Sequence, residues 1–176
     1  MSSFGLIHLS SNNFTLEKTK NGVFLCNSIK GFSVVLFYSL QKCKYSAQAL
    51  NEFRKVVGSV NGVIFAALDV DKYLDVVRLS RNSATVIEGV PYMMLYYNGI
   101  PQQIYPDEYP FLAPDIKQFS ATVATNIYNA IKNSEKQQAS TSQAKQQAVS
   151  KPSKVSKTIY YISSPLKKRQ NITYLV

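Results

Sequence analysis

The residue with the most chemistry in reach is Cys43, set between Lys42 and Lys44 and followed by Tyr45 and Ser46. A cysteine reacts as its thiolate, which nearby ammonium groups and the amino end of a helix both stabilise. Ala47, Leu50, Phe53 and Val57 recur at helical spacing over residues 46–57, with Gly58 as a natural stop, so Cys43 falls at a helix N-terminus. Two readings stand: a working thiol, or an inert remnant of one. The second cysteine, Cys26, reads as a buried small hydrophobe, and two cysteines are too few for a secreted disulfide scaffold. Their separation matches no zinc pattern, and the single histidine, His8, lies in the apolar-flanked run Leu6-Ile7-His8-Leu9. His8 therefore reads as an edge or core-rim residue, and no metal or cofactor is expected. The sequence contains no phosphate-cradling glycine loop and no Ser/His/Asp set.

The elements that must position Cys43 follow from periodicity and turn chemistry. Residues 6–9 read as a short strand, 10–19 as a short helix begun by Ser/Asn caps, and Asn21-Gly22 as a turn. The continuous β-branched and aromatic run 32–38 suits a central strand buried on both faces, feeding the helix 46–57. Residues 63–70 give the next buried strand, and Asp71 is placed to cap a helix over 72–81. After Pro91, residues 92–97 form a strand closed by Asn98-Gly99, and 101–105 return as its partner. Ile116, Phe119, Val123, Ile127 and Ile131 mark a last amphipathic helix ending near Ser134. The order is α/β, with parallel crossovers giving way to a hairpin.

Charge divides the chain more sharply than hydropathy does. The net +10 is 12 Lys/Arg against 10 Asp/Glu from Met1 to Glu135, and eight against none from Lys136 to Val176. Residues 1–134 thus read as the folded domain, 135–157 as a flexible Gln/Ser/Lys-rich linker, and 158–176 as a basic, partner-binding arm. Within the arm, the strand-forming stretches 158–162 and 172–176 flank the cluster Lys167-Lys168-Arg169. Such an arm docks on another protein by strand addition, binds phosphate or nucleic acid through its cations, or folds back on its own sheet. The sequence shows no membrane span and no secretion signal, so a soluble protein of a reducing compartment, cytoplasmic or virion, is expected. Asn13-Phe14-Thr15 and Asn171-Ile172-Thr173 fit the glycosylation pattern but are expected to stay unmodified in that setting.

Taken in order, these pieces resemble the thioredoxin superfamily, and within it the domains of protein disulfide isomerase, over about residues 6–132. Residues 7–14 resemble the opening strand and the "L-T-x-x-N-F" start. Val34-Val35-Leu36-Phe37-Tyr38 resembles "V-L-V-x-F-Y", and Leu68-Asp69-Val70-Asp71 resembles "V-D-V-D". Gly89-Val90-Pro91 with residues 92–99 is similar to "G-I-P-T-L-x-x-F-x-N-G". The resemblance implies that Pro91 is the cis-proline beside the active site, that Cys43 is the attacking thiol, and that Ser46 stands where the resolving thiol should be. Lys42, Lys44, Tyr45 and Val90 would surround it. It also implies that the family's buried acid is replaced by Phe37, or by Leu36 if the loop carries one extra residue, and the tryptophan is absent. A lone thiol can form a mixed disulfide but cannot release itself internally.

The functional expectation is therefore a redox-degenerate, structural or adapter component of a larger assembly, such as the particle of a large DNA virus. The tyrosine-rich stretches 92–97 and 105–109 would supply exposed contact surface. The alternative is a monothiol oxidoreductase or redox chaperone acting through Cys43.

Overall fold

The computed structural model describes residues 5–142 and 173–175. The chain opens with β1 (Ile7–His8), a single 3-10 turn (Ser11–Asn13), and a hairpin of β2 (Phe14–Thr19) and β3 (Gly22–Asn27). The expected helix over 10–19 is thus corrected to a turn and a strand. Ser10 and Asn13 do bond as helix-start residues do, the Ser10 N–H donating to Asn13 Oδ1 at 2.9 Å. From Phe14 onward the segment instead pairs in register from Phe14↔Asn27 to Thr19↔Gly22. The expected Asn21-Gly22 turn closes that hairpin.

Then come β4 (Phe32–Tyr38), α1 (Lys44–Val56), β5 (Val63–Asp69), α2 (Leu74–Ser80), β6 (Gly89–Val90), β7 (Tyr92–Tyr97), β8 (Ile100–Ile104), α3 (Ala113–Ser142) and β9 (Thr173–Tyr174). The main sheet has the order β1-β5-β4-β7-β8. β5 is parallel to both β1 and β4, whereas β7 is antiparallel to β4 and β8. β4 sits at the centre, and residues 33–38 are all buried, as a strand covered on both faces must be.

Alternation along β4 sorts the core into two layers. Val34, Leu36 and Tyr38 face α1 and α3, packing with Leu50, Phe53, Val56, Ile116, Phe119, Val123 and Ile127. Each such side chain contributes about 1.5–3 kcal/mol on burial. Val35 and Phe37 face the other way, into a cluster with Leu9, Phe14, Leu25, Val76, Val77, Val90 and Cys43. The buried face of α1 is Ser46, Ala49, Leu50, Phe53 and Val56, with Ala47 turned to solvent. α3 is anchored where Ala113 N–H donates to Glu52 Oε2 of α1 at 3.0 Å, and it runs on to Ser142, past the point where its apolar spacing stops.

Two further expectations are corrected. Asp71 does not cap α2, which begins at Leu74 with Tyr73 at its N-cap and no side-chain capping bond. The stretch 92–97 is not contact surface. β7 is hydrogen-bonded on both sides, its residues 92–96 are buried, and Tyr105 is buried as well, which leaves Tyr109 as the exposed ring of the second stretch. Among the described residues, no helix is long and apolar enough to cross a membrane.

Candidate functional site

β4 delivers the chain to the loop 39–42, and a carboxylate just past the end of the neighbouring strand β5 fixes that loop. Asp71, just past β5, accepts from Ser39 Oγ at 2.6 Å and from the Gln41 N–H at 3.0 Å. Ser39 Oγ in turn accepts from the Lys42 N–H at 2.9 Å. The loop is therefore pinned at Ser39, Gln41 and Lys42 before α1 starts. Cys43 is the N-cap residue of α1, in extended conformation, and its side chain makes no capping bond.

The thiol turns instead toward the segment preceding β7. Cys43 Sγ donates to the Val90 carbonyl at 3.3 Å, and the Val90–Pro91 peptide bond is cis, as the resemblance implied. That segment is held by groups on two elements, β3 and α2. Ala84 N–H donates to the Val23 carbonyl of β3 at 2.8 Å, Leu25 N–H to Thr85 Oγ1 at 2.9 Å, and Ile87 N–H to Ser80 Oγ at 3.0 Å. A mixed sheet with its central strand feeding a cysteine-capped helix, opposite a cis-proline at the start of the antiparallel pair, decides the matter. The fold is thioredoxin-like.

Comparison with known proteins finds a viral relative and partial likeness to solved structures. No protein-family model matches the chain. Uncharacterized protein 196R of Invertebrate iridescent virus 6 is 27% identical over 112 residues, which cover 64% of this chain and 63% of that relative. Human ERp44 in its zinc-bound form is similar over 65% of this chain and 30% of that one, at 19% identity and a TM-score of 0.48. The first two thioredoxin domains of Eps1p from Naumovozyma dairenensis are similar over 53% of this chain and 35% of that one, at 16% identity and a TM-score of 0.44. The chain spans about a third of those two structures and less than two thirds of the viral relative.

In this thioredoxin-like site the sequence-predicted residues mostly converge. Cys43, Ser46, Val90 and Pro91 are buried together, Tyr45 packs half-buried against the same cluster, and Lys42 and Lys44 are exposed at the rim. Lys167, Lys168 and Arg169 lie outside the described residues, as do the linker past 142 and the stretch 158–162. Phe37 is the β4 side chain on the thiol's side of the sheet, and it meets Tyr92 edge-on at 6.0 Å. Leu36 lies in the opposite layer, so β4 offers this thiol a phenyl ring rather than a carboxylate.

The thiol's acidity has a different origin from the one expected. Burial, the largest single influence, pushes Cys43 up, but hydrogen bonds from the side chains of Thr173 and Ser46, then from the Ser46 and Tyr45 backbone, outweigh it and hold the thiol below its ordinary range. The two lysines, expected to stabilise the thiolate, are not among these influences; the Lys44 ammonium lies 5.0 Å from the Tyr45 ring centroid instead. Ser46 is oriented for donation because its Oγ already accepts from the Ser39 N–H at 3.1 Å, which leaves its own proton for the sulfur.

Thr173 was not foreseen as a site residue. It belongs to β9, which pairs antiparallel with β6 in the register Val90↔Thr173 and Gly89↔Tyr174. Leu175 N–H donates to the Glu88 carbonyl at 2.8 Å, and its own carbonyl accepts from Arg81 Nη2 at 3.2 Å. Of the placements open to the arm, residues 173–175 take the folded-back one, and they do so against the cysteine. The strand composition of 172–176 signalled an edge-seeking segment but carried no information about which edge.

Proposed function

We propose that this chain is a redox-degenerate adapter that holds a partner through one thiol, Cys43, rather than an enzyme that cycles a dithiol. The observation that carries this reading is the placement of Cys43 at the N-cap of α1 against the cis Val90–Pro91 bond, with the Ser46 hydroxyl, not a second sulfur, bonded to it. The chemistry available is disulfide exchange. The Cys43 thiolate attacks a partner's disulfide, one new S–S bond joins the two proteins, and the partner's other sulfur leaves as a thiolate. Ser46 cannot then expel the partner, so the linkage persists until an outside thiol arrives.

The test is the iodoacetamide alkylation rate of Cys43 against pH in Cys26→Ala protein. A midpoint well below the free-thiol value of about 8.5 is expected, together with mixed disulfides that survive isolation. A midpoint at or above that value, with no trapped partner, would leave the domain as scaffold only.

A second reading, a structural component of a large DNA virus particle gripped through the basic arm, is favoured by the viral relative and by the excess of eight cations after Glu135. Cross-linking of purified particles would test it, with links expected from residues 136–176 to neighbouring proteins. If binding to nucleic acid is instead what those cations do, it will weaken steeply with salt and vanish when residues 136–176 are removed.

A further inference from the structure

Resting on the adapter reading, we infer that Asp71 is a positioning residue for Cys43: its carboxylate fixes Ser39, and Ser39 holds the Ser46 hydroxyl in the orientation that presents its proton to the sulfur.

The path runs through groups that are bonded one to the next. Asp71 accepts from Ser39 Oγ at 2.6 Å through one oxygen and from the Gln41 N–H at 3.0 Å through the other, so the loop 39–42 engages its whole carboxylate. Ser39 is wholly buried; its backbone N–H donates to Ser46 Oγ at 3.1 Å, and its Oγ accepts from the Lys42 N–H at 2.9 Å. A hydroxyl carries one proton that rotates to suit its neighbours, so an N–H aimed at its lone pair fixes where that proton points. Ser46, also wholly buried, bonds the sulfur through its side chain. The other hydroxyl at the sulfur, Thr173, arrives with β9, which Leu175 seats in the cluster around Cys43. Its aim is set by β9, whereas that of Ser46 is set by the loop.

A carboxylate near a thiolate would otherwise work against it. Acting through space, Asp71 raises the midpoint of Cys43, because like charges disfavour each other; acting through Ser39 and Ser46, it lowers that midpoint by supplying a donor. The charges around this carboxylate stay in place when it is removed. Asp69 Oδ1 accepts from the Asp71 N–H at 3.0 Å, Lys72 lies 3.7 Å from Asp69, Arg54 acts on the same Tyr38 hydroxyl as the two aspartates, and Lys42 and Lys44 flank Cys43. The two routes differ in sign, and the sign is measurable.

The experiment is the iodoacetamide alkylation rate of Cys43 against pH in full-length Cys26→Ala protein, with Asp71→Ala, Asp71→Asn and Ser39→Ala added in turn, each with and without Ser46→Ala. Asp71→Ala and Ser39→Ala should each raise the midpoint by about half a pH unit, which lowers the rate near neutral pH about threefold. Asp71→Asn keeps an acceptor for the Ser39 hydroxyl without the charge, and should leave the midpoint at or below that of the parent protein. In the Ser46→Ala background Asp71→Ala should no longer raise it, because the hydroxyl through which it acts is gone. A midpoint that falls or stays put in Asp71→Ala overturns the inference, and so does a rise of equal size with and without Ser46. Ser39→Ala, which retains both the carboxylate and the N–H, carries the same decision if Asp71→Ala does not fold. A parent midpoint at or above about 8.5 sinks the adapter reading and this inference with it, whereas a lower parent midpoint that Asp71→Ala fails to raise sinks this inference alone.

Discussion

Cys26 and Cys43 are equally hidden, at 1% and 2% exposure, yet they occupy opposite chemical settings. Cys26 is the penultimate residue of β3, opposite Thr15, and packs with Phe24 and Ile100. Nearby is Tyr96, whose wholly buried hydroxyl is pushed far up, first by burial and then by Cys26. Cys43 heads a helix, among hydroxyl and amide donors from Ser46, Tyr45 and Thr173. Burial by itself therefore says nothing about a thiol's reactivity. What marks Cys43 is that donors from Thr173, Ser46 and Tyr45 converge on its sulfur at the start of a helix.

The largest effect available on the Cys26 side comes from Gly99. It has φ +78°, and a Cβ there would stand 1.9 Å from the Asn27 carbonyl oxygen, next in the chain to Cys26. That same carbonyl belongs to a residue whose N–H donates to the Gly99 carbonyl at 2.8 Å, the bond that ties β3 to β8. Gly99→Ala should cost roughly 2–4 kcal/mol in denaturant unfolding, through strain and backbone displacement. The alkylation profile of Cys43 in the folded protein should stay unchanged. Loss of Cys43 reactivity in step with stability would mean that the two regions are one cooperative unit.

The same contrast explains what could be read from the sequence. Turn chemistry and apolar runs are local, so β4, β7, the Asn98-Gly99 turn and the spacing of α3 were legible. The resemblance went further and placed Cys43, Ser46 and Pro91 together. The β2–β3 hairpin was not legible, because Ser10 to Asn13 carries helix-start residues that a 3-10 turn also uses. What makes a strand of Phe14–Thr19 is its pairing with β3, itself docked on Gly99 and Ala84 far along the chain. Asp71 was misassigned for the same kind of reason. An aspartate before a helix can cap it, but this one finds the Ser39 hydroxyl and Gln41 amide past the end of the neighbouring strand β4. Thr173 was out of reach altogether, since its role exists only once β9 meets β6.

Ser46→Ala sharpens the comparison by stripping Cys43 of one of its donors. Removing the hydroxyl takes away a donor to the thiolate and leaves the Ser39 N–H unpaired, so the alkylation midpoint of Cys43 should move up toward the ordinary thiol range. The rate near neutral pH falls, and the two proteins converge at alkaline pH, where both thiols are ionised. Stability follows the same linkage. A folded-state thiol held below its unfolded value contributes stability that is present above the unfolded value and lost as pH falls through the folded one. The deficit of Ser46→Ala beyond the unpaired Ser39 N–H should therefore be larger in alkaline than in neutral melts. An unchanged midpoint would assign the acidity to Thr173 and the backbone alone.

The smallest effect is expected from Arg81→Ala, and it is informative for that reason. Arg81 is exposed, and its bond to the Leu175 carbonyl is the outermost of those holding 173–175 against β6. An exposed hydrogen bond of this kind contributes at most about 1 kcal/mol. Opening of the segment should therefore rise no more than about fivefold, with Cys43 alkylation rising by the same factor and Cys26 alkylation unmoved. A much larger rise would mean that the guanidinium, rather than the strand pairing and the Leu175 seat, closes the site. The access of Cys43 would then be set by charge on the surface, and a sulfur buried like Cys26 would owe its protection to one solvent-exposed side chain.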